Sequence, residues 1–378
     1  MDKKRILLIA SFAGSLIRFR GDFIKSLIAN DFEVFTAAPE YTESDTEIIK
    51  AMGAIPIEFN LQRTGLNPLN DLKSIKELKS IMKDNKIDLV FPYTVKPVIY
   101  GSMAANSCKI PVISLITGLG YAFTGLSAKA RTLQRFNEIL YKVSIRKNKI
   151  IVFQNKDDYQ LFLDRKVISK QQRVDFVSGS GVNLNQFTFK EKHASDKVSF
   201  LLVARLIEEK GIALYMQAAK LLKAKYPKAV FNLIGAPETS PSAISEDELN
   251  EMHKEGIIVF HGKQNNIEEH LHQNDIFVLP SYYREGLPRT TLEACACGNP
   301  IITTDSVGCR EAVKVGENGF LIEPQNLEAL VKPMEYFITH PDKIKDMGIN
   351  SRKYAEERFD VNIINNDLVQ LIKSVLKI

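Results

Sequence analysis

The chain is poor in cysteine, with four in 378 residues, at Cys108, Cys295, Cys297 and Cys309. So few thiols at such irregular spacings exclude a disulfide framework and fit a reducing compartment. Cys295 and Cys297 form a C-x-C pair in an apolar segment, and no second pair completes a zinc site, so they read as small buried hydrophobes. His270 and His272 stand two apart on a helical pattern, where side chains diverge, and offer no metal site either. No apolar run reaches the roughly 18 residues that a spanning helix needs. The N-terminal Met1-Asp2-Lys3-Lys4-Arg5 leads into Ile6-Leu7-Leu8-Ile9-Ala10, too short for a signal peptide, and reads as the first buried strand of a cytoplasmic protein. The G-x-G-x-x-G fingerprint is absent, and Pro39-Glu40 is a poor candidate for a ribose-binding acid. The G-x-x-x-x-G-K-[ST] phosphate loop is also missing, since Gly262-Lys263 is followed by Gln264, so dinucleotide enzymes and nucleotide triphosphatases are disfavoured.

What is present is an ordinary globular balance, 45% hydrophobic and 25% charged, in a chain long enough for two domains. Short Val-, Ile- and Phe-rich runs alternate with helix-length periodic segments throughout, the pattern of β-α-β units and parallel sheets. Strands are expected at 5–11, 33–38, 55–59, 88–93, 111–116, 149–154 and 173–177, then at Phe200–Ala204, Val230–Ile234, Ile257–Phe260, Ile276–Pro280, Pro300–Thr304 and Phe320–Ile322. The fold class is therefore α/β, two doubly wound Rossmann-like domains. A polar linker near 183–197 separates residues 1–186 from 187–360, and Pro237–Ser245 reads as a surface loop. Residues 361–378 carry Ile364, Leu368, Leu371, Ile372 and Val375 at helical spacing and form a closing helix expected to pack back on the first domain. Lys and Arg exceed Asp and Glu by 27 to 18 over residues 1–186, whereas 187–378 has 23 against 27. A basic first half suits phosphates or an anionic membrane, or is simply a Lys-rich solvated face.

Open α/β domains bind ligands beyond the carboxyl ends of their strands, and the informative motifs follow strands. Ser11-Phe12-Ala13-Gly14-Ser15 offers small residues at a helix start, where the backbone favours anions. Arg205 and Lys210 flank a strand-to-helix turn closed by Gly211, a pairing of guanidinium fork and ammonium suited to a pyrophosphate. Because Arg205 follows an apolar strand directly, it is expected to need a partner. In Leu279 to Glu293, Glu285 sits in a turn, Gly286-Leu287-Pro288 opens a helix, and Glu293 is buried within it. Glu293 either accepts from a ribose diol or ties down a neighbouring loop or Arg. Asp305 to Glu311 places Gly308 and Glu311 at a third helix start, able to grip sugar hydroxyls.

Together R-L-x-x-x-K-G, P-S-Y-Y-R-E-G-L-P-R-x-x-L-E-A and T-T-D-x-x-G-C-x-E, across about 198–325, resemble the family 4 glycosyltransferases of the GT-B fold, with support from Ile116-Thr117-Gly118-Leu119-Gly120-Tyr121 and Gly181-Val182-Asn183. The likeness extends to the bacterial branch that elongates undecaprenyl-diphosphate-linked sugars, including N-acetylgalactosaminyltransferases. It implies two domains facing across a cleft, an acceptor-binding first domain, a nucleotide-sugar-binding second domain, and retention of anomeric configuration. By position, Arg205 and Lys210 resemble the pair that neutralises the donor diphosphate, Glu285 the donor-facing first Glu of an E-x7-E motif, and Glu293 its ribose-binding Glu. Amides near Gly286-Leu287 and in the Gly14-Ser15 turn would complete the phosphate site. Arg18, Arg20, Thr117 and Gly118 fall on the acceptor side; Thr117 replaces the His or acid that many relatives carry there. No D-x-D exists, so the resemblance implies a metal-independent reaction without cofactors. It also implies transfer of a sugar, an N-acetylhexosamine in α-1,3 linkage, from a UDP-sugar to an undecaprenyl-diphosphate-linked sugar in O-antigen, capsule or glycan assembly.

Residues 127–149 carry Lys129, Arg131, Arg135, Lys142, Arg146, Lys147 and Lys149 against Glu138 alone, with Arg131, Arg135, Lys142 and Arg146 opposite Leu133, Phe136, Leu140 and Val143. This basic amphipathic helix fits an anionic membrane contact, with the enzyme peripheral on the inner face of the cell membrane, or an ordinary packing helix. A nucleotide-sugar epimerase would use the same donor site but needs an acid/base set not found here, and a non-catalytic sugar-nucleotide binder would not need Arg205, Lys210 and Glu285 together. Nucleic-acid binding is disfavoured because no aromatic residues interleave with the basic ones.

Overall fold

The computed structural model describes residues 3–62, 68–120, 123, 128–193, 196–236, 238 and 242–378. Its contacts divide the chain into two compact units, Met1–Ser180 with Val361–Ile378, and Gly181–Asp360.

In the first unit the strands are β1 (Arg5–Ile9), β2 (Glu33–Ala38), β3 (Ile55–Glu58), β4 (Leu89–Pro92), β5 (Ile113–Ile116), β6 (Ile150–Phe153) and β7 (Val174–Phe176). They pair in parallel in the orders β3-β2-β1-β4 and β5-β6-β7. Parallel bridges Val90–Val112 and Tyr93–Leu115 join the two ladders. The central strands β1, β4, β5 and β6 are covered on both faces, which is why they read as largely apolar runs, whereas the edge strands β3 and β7 are partly exposed. Leu7 and Ile9 enter one core, while Ile6 and Leu8 enter the other beside Phe23, Ile24 and Leu27 of the helix Ala13–Ala29. The closing helix Val361–Leu376 joins that second core through Ile364, Leu368, Val369 and Ile372, and Lys373 Nζ donates to Asn30 Oδ1 at 2.9 Å.

The second unit contains β8 (Ser199–Val203), β9 (Val230–Ile234), β10 (Val259–Phe260), β11 (Ile276–Leu279), β12 (Ile301–Thr304) and β13 (Gly319–Ile322). Their order, β10-β9-β8-β11-β12-β13, is the doubly wound order in which direction reverses between the first and fourth strands. The crevice at that reversal, beside the carboxyl ends of β8 and β11, is where such sheets take ligands.

Two expectations are corrected. The stretch 183–197 is not a free linker: Phe187 is buried in the second unit, the Lys190 amide donates to Cys297 O at 3.3 Å, and Lys192 is buried with its amine donating to Leu271 O and Asn274 O, each at 2.7 Å. Residues 194–195 lie outside the described residues, as do Pro237 and 239–241 of the surface loop. Desolvation holds the Lys192 pKa down to about 8, against 10.5 for an ordinary lysine. Between those values the unfolded chain binds more protons than the native one, so this group makes native stability rise as pH increases through that window. Lys192→Met is expected to flatten that rise, checked by urea unfolding at pH 7.5 and 9.5.

The second correction concerns the helix Ala128–Ser144; Ser127 and the side chains of 128–130 lie outside the described residues. Leu133 and Leu140 pack on the first unit's core, but Phe136 and Val143 are 43% and 64% exposed. Asn137 and Tyr141 take the inward positions instead, so Phe136 and Val143 lie on the solvent side with the basic residues rather than opposite them.

Candidate active site

At the end of β8 the chain runs through Arg205 into the 3-10 turn Glu208–Lys210, and Gly211 then starts the helix Ile212–Lys225. Gly211 has φ of +75°, and a Cβ there would stand inside the carbonyl oxygen of Pro280. Only glycine combines that backbone conformation with such close approach. The contact holds the turn against the segment that leaves β11. The Glu209 carbonyl accepts from the amides of Tyr282 at 2.9 Å and Tyr283 at 3.1 Å and from Ser281 Oγ at 3.1 Å. This latch sets Lys210 against Glu285, and Lys210 Nζ makes an ion pair with Glu285 Oε1.

The third motif arrives from β12. Thr304 Oγ1 donates to the Ser281 carbonyl, and Ser306 Oγ reaches the same oxygen at 3.0 Å. Gly308, at φ +80°, lies so close that a Cβ would sit 2.5 Å from Gly286 O and 2.7 Å from Glu285 O. The three strand-end motifs therefore form one cluster beyond the carboxyl ends of β8, β11 and β12. The helix Arg289–Cys297 follows directly, with Leu287 buried just before it. Glu293 is buried, and Arg289 Nε donates to its Oε1 at 2.8 Å. Desolvation raises the Glu293 pKa, and Arg289 opposes that rise. Arg289 is thus one partner of the Glu293 carboxylate.

Two site readings change. Arg205 is exposed, with its guanidinium carbon 5.5 Å from the Tyr283 ring centre, so the burial argument for it does not hold. Leu206 and Ile207 return to the core directly afterwards, so only the Arg205 side chain reaches solvent. Glu311 lies in a short 3-10 turn, Cys309–Ala312, rather than at a helix start, and its carboxylate faces Arg358 Nη2 at 3.4 Å.

In the first unit Gly14 and Ser15 lie past β1, and Thr117 and Gly118 past β5, all at the carboxyl edge of the sheet. Ser15 is buried, its hydroxyl 2.8 Å from Tyr93 Oη and from Phe12 O. Arg20 is also buried, over the Tyr93 ring at 5.3 Å, whereas Arg18 is exposed, because residues two apart on a helix diverge. Tyr121 lies outside the described residues.

Two family models match the chain: "Glycosyl transferase 4-like" over residues 5–155 and "Glycosyl transferases group 1" over 185–354. A glycosyltransferase from Rickettsia africae superposes with a TM-score of 0.80 at 20% identity, covering 100% of both chains. The chain belongs to the glycosyltransferases of the GT-B fold. Among relatives of this glycosyltransferase is the N,N'-diacetylbacillosaminyl-diphospho-undecaprenol alpha-1,3-N-acetylgalactosaminyltransferase of Campylobacter jejuni, 28% identical over 99% of both chains. The UDP-Gal:alpha-D-GlcNAc-diphosphoundecaprenol alpha-1,3-galactosyltransferase of Escherichia coli is 27% identical, over 78% of this chain and 77% of that one.

Sequence reasoning missed two side chains of the candidate site. Tyr283 places its ring centre 5.5 Å from Arg205 Cζ and 5.6 Å from Lys210 Nζ, so one aromatic ring meets both cations. Its position between a strand end and Glu285 was the available signal. Arg289 is the other; it stands four residues before Glu293 on one helix, the spacing at which such pairs meet. Burial pushes the Cys297 thiol up to about 12 and Cys295 higher still, which favours the neutral thiol at both. Among the described residues no helix is long and apolar enough to cross a membrane.

Proposed function

We propose that this glycosyltransferase moves an N-acetylhexosamine from a UDP-sugar to a sugar carried on undecaprenyl diphosphate, with retention of configuration, an α-1,3 linkage and no metal ion. The observation that carries the proposal is the convergence of Arg205, Lys210 and Glu285 beside the carboxyl ends of β8 and β11, with Glu293 one helical turn beyond. The bacterial relatives named for undecaprenyl-linked acceptors support the choice of substrate class. In this reading the second unit binds the nucleotide sugar and the first the acceptor, through Thr117, Gly118 and the exposed Arg18.

Charge on a departing diphosphate increases in the transition state, and fixed cations aimed at it act most strongly there. Arg205 and Lys210 supply that charge without a metal, while Glu285 faces the positive charge that develops at the anomeric carbon. A diphosphate oxygen on the attacking face takes the acceptor proton, so no separate base is needed. The basic side of residues 127–149 brings the enzyme to the anionic inner face of the membrane, where a polyprenyl acceptor resides.

The test is a panel of UDP-GalNAc, UDP-GlcNAc, UDP-Gal, UDP-Glc and GDP-Man, with and without a short polyprenyl-diphosphate-HexNAc acceptor, in excess EDTA. Acceptor-dependent UDP release from a UDP-N-acetylhexosamine is expected. Release from no donor sinks the UDP-N-acetylhexosamine assignment and the role given to Glu285, and release abolished by EDTA sinks metal independence.

A further inference from the structure

The outward side of the helix Ala128–Ser144 carries Phe136, Ile139 and Val143, which are 43%, 62% and 64% exposed. Their spacing of three and four aligns them in one stripe. Arg135, Lys142 and Arg146 are exposed alongside. Next to this stripe lies a groove of about 820 Å³. Lys142 and Arg146 form one wall; Lys166, Ser169 and Lys170, which follow the helix Lys156–Asp164, form the other. Its one carboxylate, Asp164, already accepts from Gln160 Nε2 at 2.7 Å. Among the described residues, none of the four cations has an ion-pair partner.

Three exposed apolar side chains beside a groove of uncompensated cations are complementary to the interface of an anionic bilayer, apolar below and phosphate above. We propose that the groove between residues 142–146 and 166–170 holds the phosphate of an anionic phospholipid headgroup while Phe136, Ile139 and Val143 enter the acyl boundary. The inference rests on the membrane contact proposed above and goes beyond it, because it assigns a discrete phosphate site whose second wall lies outside the basic helix. Binding there orients the first unit on the surface as well as attracting it.

The experiment is co-flotation of the full chain with phosphatidylcholine vesicles lacking or containing phosphatidylglycerol, at low salt. The wild type is expected to float only with the anionic vesicles. Lys166→Ala/Lys170→Ala is expected to weaken that partition about 30-fold, at about 1 kcal/mol per lysine. Lys147→Ala/Lys149→Ala, which removes two cations outside the groove, is expected to weaken it less, and transfer to a short water-soluble acceptor is unchanged in both. Equal losses in the two double variants, or none in the first, overturn the groove while leaving the membrane contact standing. Failure of the wild type to bind anionic vesicles overturns both. Inorganic phosphate that protects the wild type, but not Lys166→Ala/Lys170→Ala, against thermal unfolding without any vesicle binding assigns the groove to a free anion and overturns the lipid site.

Discussion

Lys210→Met and Glu285→Gln are each expected to lower kcat by about 10²–10³-fold, with the double variant losing far less than the product of the two. The two side chains form one ion pair and are 10% and 16% exposed, so neither acts independently of the other. Removing one partner leaves the other largely desolvated, at a cost of up to about 3–5 kcal/mol, and replacing both relieves most of that cost. Thermal unfolding is therefore expected to show both single variants destabilised and the double variant partly restored. Arg205→Ala is expected to spare stability, since its side chain is exposed, while still lowering turnover. A Lys210→Met enzyme with near-normal kcat would remove the ion pair from the mechanism; wild-type stability in both single variants would show that the pair is not desolvated.

Gly211→Ala is expected to abolish transfer and to destabilise the second unit by more than about 2 kcal/mol. The new methyl group collides with the backbone oxygen of Pro280, which has no rotamer with which to yield. The φ of +75° adds strain for any residue bearing a Cβ. The segment after β11 would have to move away from the 3-10 turn, breaking the hydrogen bonds of Tyr282 and Tyr283 to Glu209 and separating Lys210 from Glu285. Donor-nucleotide binding, followed by calorimetry, is expected to fall with activity. A Gly211→Ala protein with wild-type stability and turnover would mean that the close approach does not position the site.

Gly256→Ala makes a fair comparison, because that glycine also has positive φ, at +70°, but has open space where its Cβ would go. Its cost is expected to be backbone strain alone, about 1–2 kcal/mol, without loss of transfer. The difference between the two glycines isolates the contribution of the Pro280 contact from that of conformation.

Much of this protein is legible in its sequence because the signals are local. Apolar runs such as Ile6–Ala10 and Ile276–Leu279 mark strands buried on both faces, and the 3.6-residue period of Ile364, Leu368 and Ile372 marks the closing helix. The motifs after β8, β11 and β12 stand out because charged residues gather within a few positions of each strand end, Arg205 and Lys210, Arg284 and Glu285, and Asp305. What stayed hidden depended on which surfaces the elements present. Phe136 and Val143 carry the same periodicity as Leu133 and Leu140, yet only the latter two meet the core. Lys192 lies in a charged stretch with the composition of a linker, but its amine caps carbonyls some 80 residues away.

The sequence by itself determined the α/β class, the strand and helix order, the family and the residue types at each strand end, since propensity, periodicity and turn chemistry act over a few neighbouring residues. Tertiary structure alone decided that Lys210 pairs with Glu285, that Tyr283 serves two cations and that Arg205 stays in solvent. Those contacts join positions 73 to 78 residues apart, and they exist because parallel pairing of β8 with β11 sets two distant strand ends side by side.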